Sequence, residues 1–150
     1  MVNTGSTSVK MAVYSAAQTH SVSSDARWSA TSTLAIRGED RVAGIEQMLR
    51  DAPVALDSVG VVGHRIVHGA DRFAGPVVID DPVLGEIAAL AKFAPLHNQI
   101  ALDGIAAARR VVAGGVTHVA VFDTSFHRTM PTATVAYGGP HAWVAQGLRR

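Results

Sequence analysis

Cysteine is absent from the 150 residues. Disulfide bridges, zinc–thiolate centres and cysteine nucleophiles are therefore excluded, and the chain suits a reducing compartment. Aromatic residues are scarce, at 5%, and no apolar run approaches the ~20 residues needed to span a bilayer. The start of the chain lacks a basic head followed by an apolar stretch, so no signal peptide is visible. An excess of one charge is missing too. Lys and Arg number 13 against 12 Asp and Glu, a net charge of +1, so no basic surface calls for nucleic acid and no acidic tail is present. The expectation is a cytoplasmic protein with neither a nucleic-acid nor a membrane partner.

What is present fits one folded domain. The apolar fraction of 48% and charged fraction of 17% are ordinary for a globular chain, and 150 residues suffice for a real core. Asn3 to Ser8 reads as a polar, Gly-containing turn, followed by a strand in which Val9, Met11 and Val13 alternate with Lys10, Ala12 and Tyr14. The strand ahead of that turn is nearly missing, so the chain is expected to start late. A further strand is expected near Thr33–Ile36. Asp40 is a candidate cap for a helix with Val42, Ile45, Met48 and Leu49 on one face. A short buried strand is expected over residues 59–62. Asp80-Asp81-Pro82 predicts a capped helix start with Pro at the first position, and that helix should stop before Pro95. A second helix is expected from about Gln99 to Val112, ended by Gly114-Gly115. Residues 116–122 read as a buried strand ending in Asp123. Strand and helix alternate, so the class is α/β. Residues 140–150 read as the start of another helix, which points to a chain cut at Arg150.

Four stretches hold most of the candidate chemistry. In Asn3-Thr-Gly-Ser-Thr-Ser-Val-Lys10 an amide, hydroxyls, a Gly and a Lys share a tight turn that can cradle phosphate. It is not a Walker A loop, and an ordinary Ser/Thr hairpin turn is the bland alternative. His64 and His68 lie in a strand-like context, where four residues span ~13 Å, too far for one metal ion. Arg65 at a strand end suits bidentate capture of a carboxylate or phosphate, with a structural ion pair as the alternative. His97-Asn98 precedes a helix, as a cap or as a phosphate contact. Asp123, Ser125 and His127 invite a serine-hydrolase reading, but triad members come from separate elements and no G-x-S-x-G elbow is present. Asp123 at a strand end is better suited to Mg²⁺, a phosphoryl group or a substrate proton, or simply caps the next turn.

Taken together and in order, these stretches carry a resemblance. Asn3-Thr-Gly-Ser-Thr-Ser-Val-Lys10, Gly63-His-Arg-Ile-Val-His-Gly69, Ala94-Pro-Leu-His-Asn98 and Val121-Phe-Asp-Thr-Ser-Phe-His-Arg-Thr-Met-Pro131 resemble the motifs of the acetate kinase (acetate/propionate kinase) family. The resemblance implies a ribonuclease H-like lobe of the sugar kinase, Hsc70 and actin superfamily, a mixed sheet flanked by helices. It implies that residues 1–150 form the N-terminal lobe, with a second lobe outside this chain. It also implies reversible transfer of the ATP γ-phosphoryl group to acetate, with Mg²⁺, or Mn²⁺ in its place, and homodimers among full-length members. By motif, Asn3 stands at the metal site. Lys10, Ser6, Ser8 and His97 are the phosphate and ATP contacts, Arg65 is the acetate-carboxylate residue, and Asp123 is the catalytic aspartate. Acetate is already ionised at pH 7 and needs no base, so Asp123 is expected to organise Arg65 or the metal's water shell. Ala70 and Gln99 stand where the family usually has Gly and Pro. The alternatives are a propionate or butyrate kinase, or a non-catalytic remnant that only folds or binds a partner. Exposed apolar surface is expected where the second lobe would dock.

Overall fold

The computed structural model describes residues 1–5, 8–15, 26–33, 39–112, 114–126 and 129–146. Strands β1 (Val2–Thr4), β2 (Val9–Val13), β3 (Trp28–Ser32), β4 (Val61–Ile66), β5 (Val77–Val78) and β6 (Thr117–Phe122) form one mixed sheet in the order β3-β2-β1-β4-β6-β5. β1, β4 and β6 run parallel, while β2, β3 and β5 are antiparallel to their neighbours. The carboxyl ends of the three parallel strands therefore come out along one edge. Helices α1 (Glu39–Arg50), α2 (Asp81–Ala89) and α3 (Pro95–Val111) supply the other layer, and the short helices α4 (Asp123–Phe126), α5 (Thr132–Val135) and α6 (His141–Ala145) follow β6. The α/β class and the mixed sheet flanked by helices are as expected.

α3 is the central helix because its buried residues are small and correctly spaced. Ala101, Gly104, Ile105 and Ala108 recur at three- and four-residue intervals and face the sheet. A side chain at Gly104 would bring its Cβ to 2.7 Å from the Thr4 methyl, so glycine allows α3 to lie directly on β1. On one side of α3, Val2, Val9, Met11, Ile45, Leu49 and Val62 form a core; on the other, Ile66, Phe73, Ile87, Ile105 and Phe122 form a second. The Phe73 and Phe122 rings stack with centroids 4.3 Å apart.

The covered face is set by strand alternation. In β4 and β6 the side chains of Val62, His64 and Ile66, and of His118, Ala120 and Phe122, are buried. The intervening residues face the other way, where Val61, Val78 and Val121 are exposed at 60%, 59% and 44%. Parallel pairs are usually covered on both faces, so this apolar stripe is surface that such sheets ordinarily bury.

Several expected boundaries move. Asn3 lies in β1, opposite Lys10 of β2, and the turn begins only at Gly5, whose N–H donates to the Ser8 carbonyl at 2.8 Å. The strand expected near Thr33–Ile36 is not seen at Thr33, and Leu34 to Ile36 fall outside the described residues; β3 lies just before it, in a stretch where the sequence shows no clear period. Asp40 lies inside α1 rather than before it. β4 starts at Val61 and runs to Ile66, so His64 and Arg65 are strand residues. Asp80 caps α2, accepting from the Val83 N–H at 2.8 Å, and Pro82 takes the second helical position, not the first. α3 starts at Pro95 rather than Gln99, because Pro at a helix start removes only an N–H that has no intrahelical partner.

Candidate active site

Three of the candidate residues meet at the carboxyl edge of the parallel strands. Arg65, near the end of β4, donates from Nε to Asp123 Oδ1 at 2.8 Å and from Nη2 to Oδ2 at 2.5 Å. Its Nη1 donates to Asn3 Oδ1 at 3.2 Å. Parallel pairing explains the meeting: Val2 is in register with His64, which sets Asn3 level with Arg65, and Phe122 is in register with Ile66, which sets Asp123 one step beyond. The Asp123 carboxylate raises the pKa of the guanidinium, so Arg65 is a fixed cation. Both side chains of the pair are more than a third exposed, at 43% and 36%. Its contribution to stability is then no more than about 1 kcal/mol. An orienting role fits this geometry better than a stabilising one.

The loops around this centre are tied by Asn98, read from the sequence with His97 as a cap or a phosphate contact, and by Thr124. Asn98, fully buried in the first turn of α3, accepts from the His68 N–H at 3.2 Å and donates to the His68 carbonyl at 2.9 Å. Thr124 Oγ1 accepts from the Gly69 N–H at 3.0 Å, joining the loop after β4 to the start of α4. A Cβ at Gly69 would sit 2.7 Å from the Phe122 ring, so only glycine fits there. Ala70 follows with φ of 48°, in the left-handed region where glycine is the comfortable residue.

The other candidates surround this cluster without joining it. Lys10 is exposed and stands opposite Asn3 across the β1–β2 pair. Ser8 closes the turn through its backbone carbonyl, and Ser6 lies outside the described residues. His97 is partly exposed one residue before the Asn98 tie, in the first turn of α3. Ser125 donates its hydroxyl to the Phe122 carbonyl at 2.7 Å, and Asp123 is engaged by Arg65. Neither is arranged as a hydrolase triad member, and His127 lies outside the described residues. Among the described residues no group of three or more His, Asp or Glu side chains is placed to hold a metal ion. No helix among them is long and apolar enough to cross a membrane.

The sequence reading missed His118 altogether. It pairs with His64 on the covered face, ring nitrogen to ring nitrogen at 2.9 Å, with the rings 5.2 Å apart and nearly parallel. Burial, then the neighbouring His118, the chain's amino group and Arg109, pushes the pKa of His64 down to about 3. Burial and Arg109 lower that of His118 as well. Both imidazoles are therefore neutral at pH 7.

A sequence model of the acetokinase family matches residues 1–150. The chain belongs to the acetokinase family. An acetate kinase from Deinococcus deserti is 40% identical over 167 aligned positions, covering 100% of this chain and 42% of that protein. An acetate kinase from Nostoc punctiforme is 50% identical over 95 residues, 63% of this chain and 23% of its own length. Among solved structures, a propionate kinase from Francisella tularensis superposes with a TM-score of 0.72 at 28% identity, over 99% of this chain and 42% of that one. The acetate kinase of Porphyromonas gingivalis gives 0.70 at 25% identity, over 99% and 43%. The chain thus shares the fold of these kinases over its own length, and it spans less than half the length of the relatives it matches.

Proposed function

We propose that this chain carries the acetate-holding half of an acetate kinase centre. The reaction would be reversible Mg²⁺-dependent transfer of the ATP γ-phosphoryl group to acetate, giving acetyl phosphate and ADP. The observation that carries the reading is the donor count at Arg65. A guanidinium has five N–H bonds. Asp123 takes two and Asn3 one, which among the described residues leaves two, one on each Nη, for a second carboxylate. Acetate held there is fixed in place, and fixing the acceptor is most of what phosphoryl transfer asks of a protein. Asp123 keeps the guanidinium plane in position instead of acting as a base.

The Asn3 amide oxygen and the Asp123 carboxylate are hard oxygen donors grouped around one guanidinium. That set suits Mg²⁺ of the kind held mainly by phosphate and water oxygens. When bound, the ion supplies charge neutralisation at the phosphoryl oxygens. Lys10 and His97 would add to that neutralisation from β2 and from the start of α3, and the Ser6 and Ser8 hydroxyls would donate hydrogen bonds to the phosphate. The remaining contacts to ATP would come from a second lobe, docked against the exposed apolar stripe. The chain alone is therefore expected to make no acetyl phosphate at a normal rate.

Propionate is the second acceptor to consider, since the Francisella tularensis neighbour is described as a propionate kinase. Replacing the matching segment of the Deinococcus deserti acetate kinase with this chain tests both readings, with acetyl or propionyl phosphate trapped by hydroxylamine. The chimera should phosphorylate acetate and lose that activity in Arg65→Ala and Asp123→Ala. A folded, ATP-binding chimera that leaves both acids unphosphorylated would overturn the proposal.

A further inference from the structure

A cleft of about 440 Å³ opens at the amino-terminal end of β6, lined by Val78, Ile79, Arg109, Val112, Val116 and His118 among others. It is remote from the Arg65 centre. His118 and Asp123 are five residues apart in sequence on and just after one strand, or about 16 Å at ~3.3 Å per residue. Arg109, in the last turn of α3, is held by a hydrogen bond from Nη2 to the Ile79 carbonyl at 2.6 Å. Its only carboxylate neighbour among the described residues is Asp81, 3.7 Å away and 95% exposed, a weak partner.

The imidazole pair decides what the cleft offers. Nδ1 of His118 is engaged by His64 Nε2, and neither His118 Nε2 nor His64 Nδ1 has a hydrogen-bond partner among the described residues. His64 is 2% exposed and His118 8%. With both rings neutral, one proton lies between them, and its position fixes the other two nitrogens. If His118 donated, a bare N–H would be sealed behind it at His64 Nδ1. A buried orphan donor is the rarer and costlier arrangement. His64 therefore donates from Nε2, and His118 is left with its proton on Nε2, as a donor in a ring that lines the cleft. The cleft then presents a guanidinium and an imidazole N–H, both donors, against an aliphatic wall of Val112 and Val116.

We infer that this cleft is a second ligand site, for a small carboxylate with a short aliphatic body. The carboxylate bridges Arg109 and His118 Nε2–H, and the hydrocarbon lies against the valines. Pocket volumes of this order suit a small molecule, and Gly114 and Gly115 add no side chains to its lining.

The test is a two-dimensional NMR titration of the 150-residue chain with sodium isobutyrate, with inorganic phosphate as a second probe. Isobutyrate should give saturable shifts at the Gly114 and Gly115 amides and at the His118 ring, with a Kd on the order of 1 mM. These shifts should survive Arg65→Gln and vanish in Arg109→Gln. They should also vanish in Gly114→Phe, at a lining position where an added Cβ meets no protein atom within 4 Å. Ring nitrogen shifts should show both imidazoles protonated at Nε2. No saturable shift, shifts lost in Arg65→Gln instead, a response to phosphate equal to that for isobutyrate, or a His118 proton on Nδ1 would each overturn the inference. The Arg65 variant separates this site from the proposed acetate site, so either can fail alone.

Discussion

His64 and Arg65 are neighbours in β4 and meet opposite fates. His64 points under the helices, is 2% exposed and loses its charge; Arg65 points to the open side, keeps its charge and meets Asp123 and Asn3. The same alternation separates Ile66 and Phe122 from Val61 and Val121. A sheet covered on one face thus divides its work by residue parity. The covered face supplies stability and neutral polar pairs, and the open edge supplies charges that a ligand can reach.

The largest expected effect comes from breaking the covered face. Ile66→Ala should cost about 2–5 kcal/mol in urea unfolding, since it leaves a cavity beneath α3. Val121→Thr on the open face should stay within ~0.5 kcal/mol. Equal losses would mean that the open face is packed after all.

Acid should sharpen the same contrast. The folded chain holds His64 neutral down to about pH 3, against an ordinary value of 6.5, so the unfolded chain binds more protons in between. Stability from this source is complete above pH 6.5 and is lost as the pH falls, by up to ~1.4 kcal/mol per pH unit. The clean window lies above pH 4.5, before carboxylates such as Glu46 begin to contribute. Thermal melts between pH 7 and 4.5 should show the loss, and a His64→Leu, His118→Leu double variant should flatten it. An unchanged slope in the double variant would place the acid sensitivity elsewhere.

A smaller effect concerns the loop behind the centre. Ala70 holds φ at 48°, and Ala70→Gly should raise stability by ~1 kcal/mol by relieving a left-handed conformation. A loss of stability there would mean that the Ala70 methyl, 6% exposed, contributes more packing than its backbone costs.

Much of this arrangement was legible in the sequence wherever the signal was local. Asp80 capping α2, the apolar run of β6, the Ile45 face of α1 and the order of the four motifs each need only a few adjacent residues. Features that depend on register were not legible. His64 and His118 are 54 positions apart and meet only because β4 and β6 pair in one particular alignment. β5 has two residues, too few for a period, and exists because β6 offers it an edge. The stop before Pro95 holds, but Pro95 also opens the next helix, which was expected only from about Gln99. Of the proposed site, Arg65, Asp123 and Asn3 were all singled out in advance, but their mutual hydrogen bonds follow from the parallel pairing of β1, β4 and β6.

The central claim is that Asp123 holds Arg65 ready for a carboxylate. Its most direct test is an acetate titration of the chain, following the Arg65 Nε–H resonance by NMR in the native protein and in Asp123→Ala. The account predicts a sharp, downfield Nε–H signal and saturable acetate binding in the native chain, with both lost in the variant while the fold persists. Acetate binding that survives unchanged in Asp123→Ala would contradict it.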